Sequence, residues 1–461
     1  MRGSLALRMF ACGALLAGKA WAVDGDLDPT FGLGGLALLQ SQPTTDSAVA
    51  VQSDNKIVSC FSTQGYPSNF SYFVLARLDA DGAPDLAFGS DGYAFLPITG
   101  FSHSDFCFDV VVQSDGKIVG VGNGLNSVGG GNFNVFEIVR FDADGVLDTT
   151  FGGGTGIVIV NPGTDFSGGY ARSVALQSDG KIVVAGFWWM SAYNADFMVA
   201  RLLPDGTLDA TFNSTGIATI DFPGVANSLD FATGVAVDTE GRIVIAGGAG
   251  ANSGFGNIGL ARLTPDGHLD ANFGTDGTMV LSLDPSLRSA ASNLVIAHDG
   301  KLIVSGGIGG SAGEYTDMAA LRFLPDGTLD PTFGEEGIVR VDYNLAVGSN
   351  QDHDYAKDVV EAPDAKLVLV GQAGYGDMGF YKAAAARLTA DGQLDDSFGI
   401  AGKVAFDFQL AVESDQWFTN AALQGNRVVA VGTAIQKGTL AGTVGIVARL
   451  QLDQMFANGF D

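Results

Sequence analysis

Two short motifs alternate along this chain at a period near sixty residues, and that period limits the fold more than any other feature. The first centres on Asp-Gly-Lys-Ile-Val. Its basic residue stands at Lys56, Lys117, Lys181, Arg242, Lys301, Lys366 and Arg427, at spacings of 61, 64, 61, 59, 65 and 61. The second is Leu-Asp-x-x-Phe-Gly, with its aspartate at Asp28, Asp85, Asp148, Asp209, Asp270, Asp330, Asp395 and Asp453. A repeat of this size is one supersecondary unit, which buries its apolar faces only against neighbouring copies. Length alone (461 residues) would suggest two or three domains, but a closed array of repeats removes that expectation.

Each repeat supplies four β-rich runs. In the third they are 173–177, 181–186, 197–202 and an outermost run equivalent to 157–160 or 217–220. Short runs of Val, Ile, Leu and Ala, punctuated by Gly and Asp-Gly, are strand signals. They are near-continuously apolar, as expected of sheets packed on both faces. Four-stranded sheets set radially around an axis make a propeller, which leaves only short protected edges. The expected fold is therefore all-β, a seven-bladed β-propeller of four-stranded antiparallel blades. The pattern Gln177-Ser178-Asp179-Gly180-Lys181-Ile182-Val183, through Asp196-Phe197 to Arg201 and Leu208-Asp209, resembles the delta-60 repeat of bacterial secreted proteins. The resemblance covers essentially all of the chain after residue 22. It implies a β-propeller and carries over no catalytic residues.

The hairpin between third and fourth strands can be read residue by residue. In Arg201-Leu202-Leu203-Pro204-Asp205-Gly206-Thr207-Leu208-Asp209, proline presets φ for the turn and glycine takes its left-handed position. Arg201 and Asp209 are equidistant from the turn and face each other across the strand pair. The same interval links Arg77 to Asp85, Arg140 to Asp148, Arg262 to Asp270, Arg322 to Asp330 and Arg387 to Asp395. A ring of arginines could bind an anion, but a repeated cross-strand ion pair is the simpler reading.

The two ends of the chain fit together. Asp24-Gly25-Asp26-Leu27-Asp28 matches the hairpin segment 205–209, so the first strand, 35–39, is an outermost one with no earlier blade to join. At the far end only four residues separate Arg449 from Asp453, against eight elsewhere, so that hairpin is missing. The N-terminal strand is expected to join the last blade, with Asp28 partnering Arg449. Residues 456–461 would then be a surplus tail, and 23–455 a single propeller domain.

Residues 1–22 read as an export signal: Arg2 and Arg8, an apolar stretch from Met9 to Ala17, and the cleavage site Ala20-Trp21-Ala22. Its removal, with Lys19, takes the net charge from −27 to −30. Such an acidic chain is a poor partner for nucleic acid or anionic membranes. No later apolar stretch is long enough to span a bilayer. The expected product is a secreted bacterial protein, periplasmic or extracellular, acting as a monomer on an unknown extracellular ligand or surface partner. Cys60 and Cys107 remain after cleavage, either paired or as two core thiols.

Few residues suggest chemistry. Asp79, Asp81 and Asp85, then Asp142, Asp144 and Asp148, have the alternate-carboxylate spacing of calcium loops. Equivalent hairpins lack the first aspartate and still turn, so capping explains these acids as well. No other cofactor is indicated. The four histidines, His103, His268, His298 and His353, fall in separate repeats without ligand spacing. A phosphate-loop motif is absent from the sequence.

Ten residues before each Asp-Gly turn position, leading into the innermost strand, stand Thr44, Asp105, Gly169, Asp230, Ser289, Asp354 and Asp415. Four aspartates there would make an acidic channel mouth for a cation or polyol, or would merely cap turns. The variable loops of the same face include Trp188-Trp189, and binding residues commonly sit on such loops. The candidate ligand-binding set is thus Asp105, Asp230, Asp354, Asp415, Trp188 and Trp189. The structural ion pairs are Arg201–Asp209, Arg262–Asp270 and Arg449–Asp28. These features suggest a non-catalytic binding or interaction scaffold, for a glycan or another extracellular ligand. The alternative is a propeller hydrolase or lyase acting on a sugar or lactone through channel carboxylates.

Overall fold

A computed structural model describes residues 24–39, 47–64, 71–96, 105–126, 133–162, 168–191, 194–222, 228–251, 256–283, 289–309, 316–345, 353–375, 380–408, 414–436 and 443–452. The expected signal segment, Thr44, His103, Asp453 and the tail 456–461 lie outside them. The described chain is all-β; its sole helical element is the 3-10 turn Gly152–Gly154. No helix among the described residues is long and apolar enough to cross a membrane.

The strands form repeated four-stranded antiparallel sheets in chain order, as in Gly169–Leu176, Ile182–Ser191, Asn194–Leu202 and Ile217–Ile220. That unit and the next, which begins at Leu229–Val237, are bridged by the single parallel pair Ala195–Leu229. First strands of successive sheets touch one another, so they are the innermost. One sheet breaks chain order: Leu36–Leu39 pairs antiparallel with Thr443–Gln451, outside Arg427–Gln436 and Ser414–Leu423. The outermost strands Ile157–Val160 and Ile217–Ile220 have the expected bounds, whereas the inner three run longer than the repeated motif. They extend away from the tight turns through residues that differ between repeats, such as Phe187 to Ser191.

The core lies between adjacent sheets. Val184, Met198 and Ala200 of one sheet, for example, pack with Val119, Val121 and Phe136 of its neighbour. Cys60 and Cys107, on neighbouring innermost-side strands, are disulfide-bonded with Cα atoms 6.0 Å apart.

The two motifs meet in a latch that repeats from sheet to sheet. Arginine Nε donates to the motif aspartate at 2.8 to 2.9 Å in Arg77–Asp85, Arg140–Asp148, Arg201–Asp209, Arg262–Asp270, Arg322–Asp330, Arg387–Asp395 and Arg449–Asp28. The same guanidinium reaches the next repeat. Its Nη1 donates to the hairpin carbonyl of Ala143, Pro204, Pro265, Pro325, Ala390 or Leu452, and from Arg449 to that of Ala80. It also lies over the motif phenylalanine, as Arg201 over Phe212 at 4.6 Å. Motif lysines add a second cation to the same carboxylate, as in Lys181–Asp209 at 3.3 Å.

Burial alone would raise the Asp209 carboxyl. The Thr211 hydroxyl and amide, then Lys181 and Arg201, outweigh it and hold the group at about 2. The hairpin glycine completes the latch. Gly206 has φ +88°, and a Cβ there would lie 2.7 Å from the ring of Phe151 in the preceding repeat. A side chain is therefore excluded twice, by conformation and by contact.

Candidate functional site

Six innermost strands carry a β-bulge, each at the same place. The register shifts fall at Phe108, Arg172, Thr233, Ser292, Lys357 and Thr419. An inserted residue of this kind bends the strand and re-aims its side chain. Together with Ser47, which immediately precedes the strand Ala48–Val51, all of these residues line one axial cavity of about 770 Å³. The repeat thus fixes the geometry of each position and leaves its side chain free to vary.

Aromatic rings crowd one side of this cavity. Tyr170 stacks on Phe187 at 5.1 Å, Phe231 meets Phe187 edge-on at 4.5 Å, and Trp189 meets Phe231 at 5.7 Å. Arg172 lies over the Phe108 ring, 4.3 Å from its centre. Tyr355 completes the aromatic lining and donates its hydroxyl to Thr316 Oγ1 at 3.1 Å.

The residues after five of the six bulges, Asp109, Ser173, Asn293, Asp358 and Asn420, form a polar collar that ties sheet to sheet; the sixth is Gly234. Asp109 Oδ2 accepts from the Val174 amide at 2.8 Å and from the Ser173 hydroxyl at 3.1 Å. Asp358 Oδ2 accepts from the Ala421 amide at 2.8 Å, and its Oδ1 from Asn293 Nδ2 at 2.6 Å. Asn420 Oδ1 accepts from the Val49 amide at 2.9 Å. No cation is among the causes that act on these two carboxyls. Burial, offset in part by hydrogen bonds, pushes Asp109 up to about 6. Burial, with Asp109 adding a like charge, pushes Asp358 up to about 7.

The residues singled out by sequence fall into different places. Asp105, Asp230 and Asp354 are buried, so they do not form a solvent-facing acidic mouth. Asp230 accepts from the amides of Gly250 and Phe222 and from the Ser228 hydroxyl, at 2.6, 3.3 and 3.0 Å. Asp354 accepts from the amides of Gly374 and Tyr343, at 2.9 and 2.8 Å. Both therefore clamp the ends of neighbouring strands. Asp105 lies beside buried Glu137, whose carboxyl is pushed upward by burial and then by Asp105.

Asp415 is half-buried and accepts from the Tyr381 amide at 3.0 Å, but Gln416 holds the equivalent position. Gln416 is buried and takes the Phe408 amide at 3.0 Å, as Asp354 takes that of Tyr343. The cause is a turn one residue shorter: Gln424 N bonds Arg427 O, where Gln113 N bonds Lys117 O. Counting back from the turn therefore lands one place early.

The tryptophan pair splits by strand alternation. Trp188 is buried in the core between sheets, whereas its half-buried neighbour Trp189 lines the cavity. The calcium-like acids cap their own turns. Asp79 Oδ1 accepts from the amides of Asp81 and Ala83, and Asp142 Oδ1 from those of Asp144 and Val146. A different trio converges elsewhere: one oxygen each of Asp196, Asp221 and Asp230 lies within 4.8 Å of the others. Burial, then Asp221 and Asp230, pushes Asp196 up to about 6. Sequence reasoning missed the bulge residues and the collar acids Asp109 and Asp358.

Six segments, 52–88, 113–151, 177–212, 241–273, 298–333 and 362–398, match the family described as "Domain of unknown function (DUF5122) beta-propeller". These matches support a repeat β-propeller family. No curated protein matches the sequence. Among solved structures, an ulvan lyase of polysaccharide lyase family PL25 is similar at TM-score 0.46 and 11% identity, covering 94% of each chain. The α-L-arabinofuranosidase Arb93A from Fusarium graminearum is similar at TM-score 0.42 and 9% identity, over 91% of this chain and 98% of that one. The β-propeller domain of the trilobed protease from Pyrococcus furiosus is similar at TM-score 0.39 and 10% identity, over 90% and 99%. At such scores the activity has to be argued from the site itself.

Proposed function

Taking the chain as a repeat β-propeller, we propose that it is a secreted, non-catalytic binding scaffold whose axial cavity takes a glycan. The observation that carries this reading is the cavity wall. Latch residues repeat from sheet to sheet, whereas Ser47, Phe108, Arg172, Thr233, Ser292, Lys357 and Thr419 differ in size, polarity and charge around one space. Aromatic faces stack on sugar rings, and a few convergent polar groups orient them. Trp189, rather than Trp188, supplies the indole face, and collar and bulge side chains replace the buried aspartates as polar contacts. A glycan array followed by a crystal structure of the complex tests the proposal. Ligand in the cavity, and binding lost in a Trp189→Ala, Phe231→Ala variant that keeps its melting temperature, is the expected result. Ligand seated on the tight-turn face would overturn it.

The proposal includes a ring of seven blades closed by the N-terminal strand. Supporting it are the pairing of Leu36–Leu39 with Thr443–Gln451, the Arg449–Asp28 bond, and the Arg449 bond to Ala80. It also includes a monomeric propeller domain over 23–455, export with loss of residues 1–22, and a tail at 456–461. Amino-terminal sequencing of the exported protein should begin Val23-Asp24-Gly25. The delta-60 name rests on the motifs alone.

One observation favours a second reading, a hydrolase or lyase: raised carboxyls at Asp109, which lines the cavity, and at Asp358, which follows the lining residue Lys357. General acid–base catalysis needs such groups near neutrality. Their oxygens, however, are engaged by the amides of neighbouring strands, which suits a structural collar. Release of reducing or unsaturated ends from a bound glycan would favour the enzyme.

A further inference from the structure

We propose that the ligand of the axial cavity is an anionic glycan, bearing carboxylate or sulfate groups held by Arg172 and Lys357; this rests on the reading of the cavity as a glycan site.

Cations are scarce here, 24 against 51 acids, so their placement is informative. Fourteen belong to the two motifs, where arginines and lysines serve the latch. Outside the motifs the described residues include five: Arg172, Arg340, Lys357, Lys382 and Lys403. Lys382 is paired with Asp407 at 3.7 Å, and Lys403 Nζ donates to the Asp342 carbonyl at 2.7 Å. Arg340 is exposed on an outermost strand. The remaining two both occupy bulge positions of the cavity.

The backbone, not side-chain flexibility, aims them. Each is the inserted residue of a bulge whose flanking residues are paired in the sheet, Ala171 and Ser173 in one case, Ala356 and Asp358 in the other. The collar anchors both bulges through the bonds of Ser173 to Asp109 and of Asp358 to Ala421. Arg172 lies over Phe108, 4.3 Å from the ring centre, with Tyr170 at 5.7 Å and Phe187 at 6.0 Å. A guanidinium carries a planar fork of N–H donors, which suits a carboxylate or sulfate and also stacks on aromatic faces. Tyr170, Phe187, Trp189 and Phe231 then offer sugar-stacking faces beside the anion site. Lys357 stands three sheets further on and acts as a point charge for a second anionic group or residue. The oxygens of nearby Asp109 are engaged by the donors Val110, Val174 and Ser173.

The test compares uronate and sulfated oligosaccharides with their carboxyl-reduced and desulfated counterparts on the full chain, with polyglutamate as a non-glycan anion. The best glycan is then titrated calorimetrically against wild type, Arg172→Gln with Lys357→Gln, and Arg172→Lys. Acidic glycans should bind, with affinity falling as salt rises, and neutralised counterparts should bind at least about tenfold more weakly. The double variant should lose about tenfold or more, and Arg172→Lys should lose less than the double variant. Equal binding of neutral and acidic glycans by the wild type would overturn the anionic specificity and leave the glycan reading standing. Polyglutamate bound as tightly as the acidic glycans would overturn the glycan half of the proposal. Binding of no glycan of either kind would overturn the reading of the cavity as well. The comparison of native with neutralised glycans needs no variant, so it decides the matter even where a substitution harms folding.

Discussion

Asp209→Asn tests whether the latch is held by charge. Asp209 is buried and accepts four bonds: Arg201 Nε at 2.9 Å, Lys181 Nζ at 3.3 Å, the Thr211 amide at 3.0 Å and its hydroxyl at 2.6 Å. Its pKa falls from 3.8 to about 2. A shift of this size is worth about 2 kcal/mol of differential interaction in favour of the ionised form. Because the folded-state value is depressed, this stability is present above pH 3.8 and is lost as pH falls through about 2. About half should remain at pH 3. Unfolding roughly 400 ordered residues carries an entropy of about 0.8 kcal/mol/K, so the neutral variant should melt about 3 °C lower at pH 7. Calorimetry at pH 7 and pH 3 reads both numbers, and the difference between the proteins should shrink at the lower pH. An unchanged melting temperature at pH 7, or the same gap at both pH values, would refute the charge argument.

Three further outcomes are expected. Gly206→Ala and Gly180→Ala share a left-handed backbone, φ +88° and +84°, but a Cβ at 206 meets the Phe151 ring at 2.7 Å, whereas at 180 the nearest atom, of Pro204, is 3.6 Å away. Denaturant unfolding should show a loss of about 1–2 kcal/mol at 180, from strain alone, and about 3 kcal/mol or more at 206; equal losses would remove the contact from the latch. Deleting residues 24–39 strips Thr443–Gln451 of its outer partner and Arg449 of Asp28, so the protein should aggregate or lose cooperative melting. An unchanged melting curve would contradict the proposed closure by the N-terminal strand. Asp358, raised to about 7, stabilises the fold when protonated and loses that contribution as pH rises through 7. Wild-type melting temperature should fall between pH 5 and pH 8.5 more steeply than that of Asp358→Asn, and parallel profiles would contradict the collar assignment.

The latch could be read in the sequence in part, because six of its seven copies spell the same interval. Eight residues around a Pro-Asp-Gly turn bring Arg201 opposite Asp209 whatever the rest of the chain does. The reach of Arg201 into the next repeat, to the Pro265 carbonyl, leaves no spacing signal, since it spans 64 residues between backbone and side chain. The bulges were illegible for a different reason. An inserted residue shifts an alternating pattern by one, but these short strands mix polar and apolar residues on either side of the bulge, as in Tyr355–Glu361, and the shift leaves no clean break in the pattern. Nor does residue type betray the position, which holds serine, phenylalanine, arginine, threonine or lysine.

That variability is itself the functional argument. A side chain that served the ring would be constrained to repeat, as Asp209 and Phe212 do. Side chains held at equivalent backbone positions, yet free to differ, are not required by the scaffold, and this supports the binding role proposed for the cavity. The cavity wall is uneven: Phe108, Tyr170, Phe187, Trp189 and Phe231 come from consecutive sheets, whereas Ser47, Ser292, Thr419 and Asn420 supply hydroxyls and an amide from the others, beside the single ring of Tyr355. A ligand matched to such a wall presents an apolar face to one side and polar groups to the other. A sugar ring has that division, with C–H groups on one face and hydroxyls at its edge, and a simple cation does not.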